Sequence, residues 1–149
     1  MLHVTLHAGR PSDWPSKTIE WQGQQIDTVA IGSERLRTSL PVSFDDLYAA
    51  LEALPRLFAE PDGSFLWTST DGPRQWQIDG QLHDSAGNLM TIELKVSGEP
   101  PREGLREALD AIFAHVSAAD ALIFELVRPG VYVAYEQLVS LLPSGSDSA

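Results

Sequence analysis

The chain has 149 residues, of which 43% are hydrophobic and 21% charged, and its formal net charge at pH 7 is −11. This length suits one domain with a core of its own, and the apolar fraction is too high for an intrinsically disordered chain. The acidic excess disfavours nucleic acid and anionic membranes as partners, and the absence of cysteine excludes disulfides and thiolate chemistry.

Residues 2–7 alternate between apolar and polar side chains, which predicts a strand with one buried face. His3 and His7 both fall on its polar side. Four residues along a strand span about 13 Å, so the two imidazole rings cannot share one metal ion. We therefore interpret both as surface histidines, and the sequence predicts neither a metal site nor a cofactor.

A loop follows, in which Trp14 lies between Asp13 and Pro15. An exposed tryptophan is often an anchor for a binding partner, but a loop tryptophan can also fold back onto the core. Both interpretations stay open, and Trp14 is a candidate binding residue.

A hairpin is predicted next, with strands over residues 18–22 and 25–31. Its turn is expected at residues 23–24, because a glycine at the first central position suits a type II′ turn. This turn would place Trp21 opposite Ile26.

The first helix is predicted to begin after Ser43, which can cap it, with Asp46 in the capping-box position. Pro55 should kink this helix or break it into two pieces. Residues 60–63 then form a turn. Four apolar side chains recur at helical spacing on one face: Leu47, Leu51, Leu54 and Phe58.

The central stretch predicts a three-stranded antiparallel meander within residues 64–96, with strands over 64–70, 75–83 and 88–96. A loop at residues 71–74 would pair Trp67 with Ile78. It would also place Phe65 over Gly80, where an aromatic ring can cover the missing side chain.

The turn at residues 84–87 decides the second pairing of the meander. A type I turn followed by a bulge would pair Ile78 with Leu94 on the apolar face and Asp79 with Glu93 on the polar face. Two facing carboxylates with Cβ atoms about 5 Å apart repel each other. This repulsion is expected to raise the pKa of one of them.

Such a pair could act as general acid and base or bind a divalent cation. The competing interpretations are a solvated sheet face, with Lys95 screening the carboxylates, and a polar protein interface. The candidate catalytic residues are Asp79, Glu93 and His83. The candidate binding residues on this face are Gln77, Gln81 and Thr91.

The last third of the chain predicts a second helix, two strands and a short final helix. The strands are expected over residues 122–128 and 131–133, the helix over 134–142 and a disordered tail over 144–149. The buried stripe of the second helix consists of Leu105, Leu109, Ile112, Phe113 and Val116. Together these elements predict one α+β domain over residues 1–143, a mostly antiparallel sheet with helices packed on one face.

Three sequence elements stand out: EPDGSFxW from Glu60, WQxDG from Trp76 and FxLVRxGV from Phe124. With these elements, residues 44–135 resemble an uncharacterised bacterial protein family. The resemblance implies no activity, cofactor or catalytic residue.

The sequence contains none of the nucleophile-elbow, phosphate-loop, dinucleotide-binding or zinc-protease motifs. We therefore expect a small acidic cytoplasmic protein that binds a protein partner or forms a homodimer, with no nucleic acid or membrane partner. The alternative is a small enzyme or ligand-binding protein that uses the acidic sheet face around Asp79 and Glu93.

Overall fold

The computed structural model describes residues 2–9, 14–21, 23–30, 39–68, 75–99, 106, 109–111, 122–126 and 131–140. The strands among them are β1 (Leu2–Ala8), β2 (Ser16–Trp21), β3 (Gln24–Val29), β4 (Leu57–Ala59), β5 (Ser64–Thr68), β6 (Gln75–Ser85), β7 (Asn88–Glu99), β8 (Leu122–Leu126) and β9 (Val131–Val133). The helices are α1 (Phe44–Glu52) and α2 (Tyr135–Ser140).

Seven of the strands form one sheet in the order β4-β5-β6-β7-β1-β8-β9, and β2 and β3 form a separate two-stranded sheet. Every pair of neighbouring strands is antiparallel. The expectation of a mostly antiparallel sheet is therefore confirmed. The first strand of the chain lies near the middle of the sheet, because β1 pairs with β7 on one side and with β8 on the other.

Side chains alternate across this sheet as the sequence of β1 predicts, with Val4 and Leu6 buried and His3 and His7 on the opposite face. We call the face that carries the histidines the outer face. The inner face forms one hydrophobic core with side chains from the separate hairpin and both helices, among them Ile26, Leu47, Leu51 and Leu138. That all helices lie on one face of the sheet stays a prediction.

The start of α1 confirms the expected cap, since the Asp46 backbone N–H donates to Ser43 Oγ at 3.1 Å. The helix ends at Glu52, and residues 57–59 continue as the strand β4. Extending the helical stripe to Leu54 and Phe58 is therefore wrong, since both lie beyond the helix. Pro55 stands just beyond the helix, where its missing N–H and its ring prevent another helical turn.

The pairing of β5 with β6 follows the predicted register, with Trp67 opposite Ile78 and Phe65 opposite Gly80. A Cβ atom added to Gly80 would overlap the ring of Phe65. The ring therefore occupies the space that a side chain at position 80 would need, as the sequence predicts.

The pairing of β6 with β7 differs from the predicted register by two residues. Asp79 faces Lys95, and Gln81 faces Glu93, so the expected face-to-face carboxylate pair is wrong. A shift of two residues keeps every side chain on its face. For that reason Ile78 and Leu94 are both still fully buried on the inner face.

Two local features cause this shift. Ala86 and Gly87 form a two-residue turn with φ values of 52° and 85°, the positive values that a type I′ hairpin turn requires. The register then moves by one residue between His83 and Asp84, because Met90 adds an unpaired residue to β7. Alanine rarely adopts a positive φ, so the sequence gives little warning of this turn.

The separate hairpin shows a similar error. Its strands place Trp21 opposite Gln24 and Ile19 opposite Ile26, so the predicted pairing of Trp21 with Ile26 is wrong. The turn lies one residue earlier in the chain than expected. Gly23, with a φ of 79°, therefore occupies its second central position instead of the first.

At the C-terminal end, β8 and β9 confirm the two expected strands, and α2 lies within the predicted final helix. Of the second predicted helix, the structure describes residues 106 and 109–111, which are helical, and Leu109 is buried. The rest of that helix and the tail at 144–149 lie outside the described residues.

Candidate functional site

The outer face carries acidic and histidine side chains at its centre, where β7, β1 and β8 lie side by side. In register, Thr5 of β1 lies between Glu93 of β7 and Glu125 of β8. His3 and His7 precede and follow Thr5 on the same face, within reach of these two carboxylates.

Glu93 accepts hydrogen bonds from two histidines on different strands. Its Oε2 lies 2.6 Å from His3 Nε2, and its Oε1 lies 3.3 Å from His83 Nε2. Partial burial raises the pKa of Glu93. The bonds from the two histidines and the charge of Lys95 lower it by more than burial raises it, so the pKa lies below its ordinary value. The expected increase of a carboxyl pKa is therefore wrong for Glu93, which is a carboxylate at neutral pH.

The second pair joins β1 to β8. His7 Nε2 lies 2.9 Å from Glu125 Oε1, and the His7 side chain is only 12% exposed. The ring of Tyr132 lies 6.1 Å from the ring of His7. Since His7 and Glu125 lie on neighbouring strands, their contact helps to hold β1 and β8 in register.

The remaining predicted site residues do not converge on one point. The Gln77 amide donates to Asp79 Oδ2 at 3.3 Å, while the Gln81 amide donates to the Asp62 carbonyl at 3.0 Å. Thr91 lies opposite His83 and, on the other side, opposite His7. Trp14 is half-buried and in contact with other residues, so its role as an anchor stays a prediction.

A separate feature lies at the β4 edge of the same face. A depression of about 330 Å³ is lined there by Phe58, Glu60, Ser64, Phe65, Leu66, Asp79 and Gly80. Phe58 is 69% exposed, and among the described residues it is the one large hydrophobic side chain left in solvent. The depression therefore combines an exposed aromatic ring with two carboxylates.

The turn before β5 adds further negative charge beside this depression. Desolvation and the charges of Glu52, Glu60 and Asp62 raise the pKa of Tyr48. Asp62 itself is held in place, because its Oδ1 accepts hydrogen bonds from the hydroxyl and the backbone N–H of Ser64 at 2.7 and 2.9 Å. These bonds lower the pKa of Asp62, so its charge is fixed at neutral pH.

Interpretation of the sequence missed two parts of this surface. The sequence predicts a solvated position for His3, because its partner Glu93 lies 90 residues away and no local pattern connects the two. It also places Phe58 on a helical stripe. The signal that could have corrected this is Pro55, since a residue beyond a helix-ending proline no longer follows helical spacing.

Among the described residues, no three His, Asp or Glu side chains are grouped so that they could hold a metal ion. No helix in the described part of the chain has the length and apolar character needed to cross a membrane. Comparison of the chain with protein-family models, curated proteins and solved structures finds no match.

Proposed function

We propose that this protein is a small acidic protein-binding module of the cytoplasm and that it binds through the β4 edge of the outer face. The observation that carries the proposal is the exposed ring of Phe58 beside an open depression. Aromatic side chains, phenylalanine among them, are enriched in protein interfaces relative to the rest of the protein surface.

The alternative is a small enzyme or ligand-binding protein that uses Asp79, Glu93 and His83. It has less support, because Asp79 faces Lys95 rather than Glu93. A general acid at neutral pH needs a raised carboxyl pKa, whereas that of Glu93 is lowered. We also propose that the helices pack on one face of the sheet and that the protein binds neither nucleic acid nor membranes.

A photo-crosslinking amino acid at position 58, introduced in the source cells, tests this function. We expect an adduct with a partner protein that is absent when the same amino acid replaces Gln25, an exposed residue on β3. The mass of the adduct distinguishes a different protein from a second copy of this chain. Equal adduct yields at the two positions, or none at position 58, would contradict binding at the β4 edge.

A further inference from the structure

We propose that β4 binds an extended segment of its partner as an additional strand, and that apolar and basic side chains alternate along one face of this segment, at every second residue. The inference rests on the proposed protein-binding function and adds the mode of binding and the chemistry of the partner. Three observations on the β4 edge carry it: the direction of its backbone groups, the exposed aromatic ring and the distribution of charge.

The backbone of β4 has one side turned away from the sheet. β4 is the end strand of the seven-stranded order, and its one partner among the described strands is β5. Glu60 N–H donates to the Ser64 carbonyl at 2.8 Å. Because hydrogen-bonded pairs alternate along an antiparallel ladder, Phe58 also bonds toward β5, while the backbone groups of Leu57 and Ala59 point away from it.

The opposite edge of the sheet differs. There, β9 is packed against β3 of the separate hairpin, and the Asp27 backbone N–H donates to Gln137 Oε1 at 2.8 Å, which joins β3 to α2. Val131 and Val133 on β9 are buried. α1 contacts β4 in turn. Of the two edges of the seven-stranded sheet, however, the β4 edge is the one at which an exposed large hydrophobic side chain lies beside backbone groups that point away from the sheet.

The depression fits an apolar and a basic side chain on the same face of the added strand. In register, Phe58, Leu66 and Asp79 form one row across β4, β5 and β6 on the outer face. A strand added beside β4 would continue this row, and an apolar side chain at that point would cover the ring of Phe58. Phe58 and Glu60 both line the depression and lie two residues apart, so an apolar and a basic side chain opposite them are also two residues apart on the added strand and point to the same face.

Charge selects a basic partner segment rather than a second copy of this chain. Lys95 faces Asp79 from β7, which leaves Glu60 as the carboxylate best placed for a basic side chain. Arg56 at the other end of β4 makes that end unfavourable for a basic group. Two chains that each carry a net charge of −11 repel each other, so the acidic surface disfavours pairing of two β4 edges.

A short synthetic peptide that repeats lysine, threonine, valine and threonine tests the inference on the full chain, because its lysine and valine side chains alternate along one face. Binding is followed by NMR shifts and by amide hydrogen exchange at Leu57 and Ala59. We expect shifts around the depression and slower exchange at these two amides. The Phe58→Ala variant should weaken binding about tenfold or more, and Glu60→Gln about two- to fivefold. The variant Glu20→Gln, which removes an exposed acid from β2, should bind the peptide like the parent chain.

Two further peptides separate the possible outcomes. A peptide with glutamate in place of lysine should not bind, and one with N-methylated backbone amides should not protect Leu57 and Ala59. NMR shifts at the depression without protection of these amides would overturn strand addition but leave the protein-binding function standing.

Absence of NMR shifts with the valine-lysine peptide would overturn the inference, while an adduct at position 58 would still support the protein-binding function. Protection that increases with protein concentration alone would assign the edge to a second copy and overturn the inference.

Discussion

The centre of the outer face and its β4 edge both carry acidic side chains, and they differ in what those side chains contact. At the centre, Glu93 and Glu125 are hydrogen-bonded to histidines from neighbouring strands. At the edge, Glu60 and Asp79 line an open depression beside an exposed aromatic ring.

The comparison shows that acidic character alone does not identify a binding surface. The carboxylates at the centre are hydrogen-bonded within the fold, and their contacts help to hold β7, β1 and β8 in register. The edge leaves the Phe58 ring in solvent, and on the side of β4 that faces away from β5 the described part of the chain provides no further strand. We therefore expect substitutions at the centre to change stability and substitutions at the edge to change association.

The largest contrast should come from two phenylalanines on adjacent strands. Phe65 is 6% exposed in the core, whereas Phe58 is 69% exposed on the outer face. We expect Phe65→Ala to lower the free energy of unfolding by about 3–5 kcal/mol, since it leaves a cavity. Phe58→Ala should change it by no more than about 0.5 kcal/mol.

Urea denaturation of both variants measures this contrast. Equal losses of stability would show that Phe58 supports the fold, and the proposed division between centre and edge would then be wrong.

Gly80 tests how closely the inner face is packed beneath the depression. We expect Gly80→Ala to cost about 1–3 kcal/mol, because the new Cβ atom would overlap the ring of Phe65. In a Phe65→Ala background the same substitution should cost much less, since the ring is gone. A double-mutant cycle measured by thermal or urea denaturation checks this coupling. Additive costs would contradict the contact.

Glu93 tests the centre of the outer face. We expect Glu93→Gln to lower stability at neutral pH by about 1 kcal/mol, since glutamine retains one acceptor oxygen for two histidines. Asp79→Asn at the edge is the matched control and should change stability by less than about 0.5 kcal/mol.

The pH dependence has a defined sign. The pKa of Glu93 is lower in the folded state than its ordinary value of 4.5, so its contribution to stability is present above that pH. The contribution is lost as the pH falls below about 4.5, because the unfolded chain takes up the proton first. Stability measured against pH should therefore fall less steeply in acid for Glu93→Gln than for the parent chain. Parallel curves would show that Glu93 has no such role.

Local signals in the sequence predicted the elements and the faces of the strands. Alternation in β1, the cap at Ser43 and the pairing of Phe65 with Gly80 all depend on neighbouring residues or on one loop, and all are confirmed. Side chains kept their predicted faces even where a turn was misplaced. In the β2–β3 hairpin the centre of the turn moved by one residue, which shifts the pairing by two, and between β6 and β7 the turn and the bulge each shifted it by one.

The pairing partners and the candidate site could not be predicted in the same way. The turn at Ala86 has a residue that rarely adopts a positive φ, and the extra residue Met90 leaves no composition signal. The position of β1 between β7 and β8 depends on contacts across most of the chain. As a result, the bonds of His3 and His7 to their glutamates have no counterpart in any local pattern.

Amide hydrogen exchange along β4 in the free protein tests the open edge most directly. We expect slow exchange at Phe58, whose N–H points toward β5, and fast exchange at Leu57 and Ala59, whose N–H groups point away. Equally slow exchange at all three positions would contradict an edge that is free to take up a partner strand.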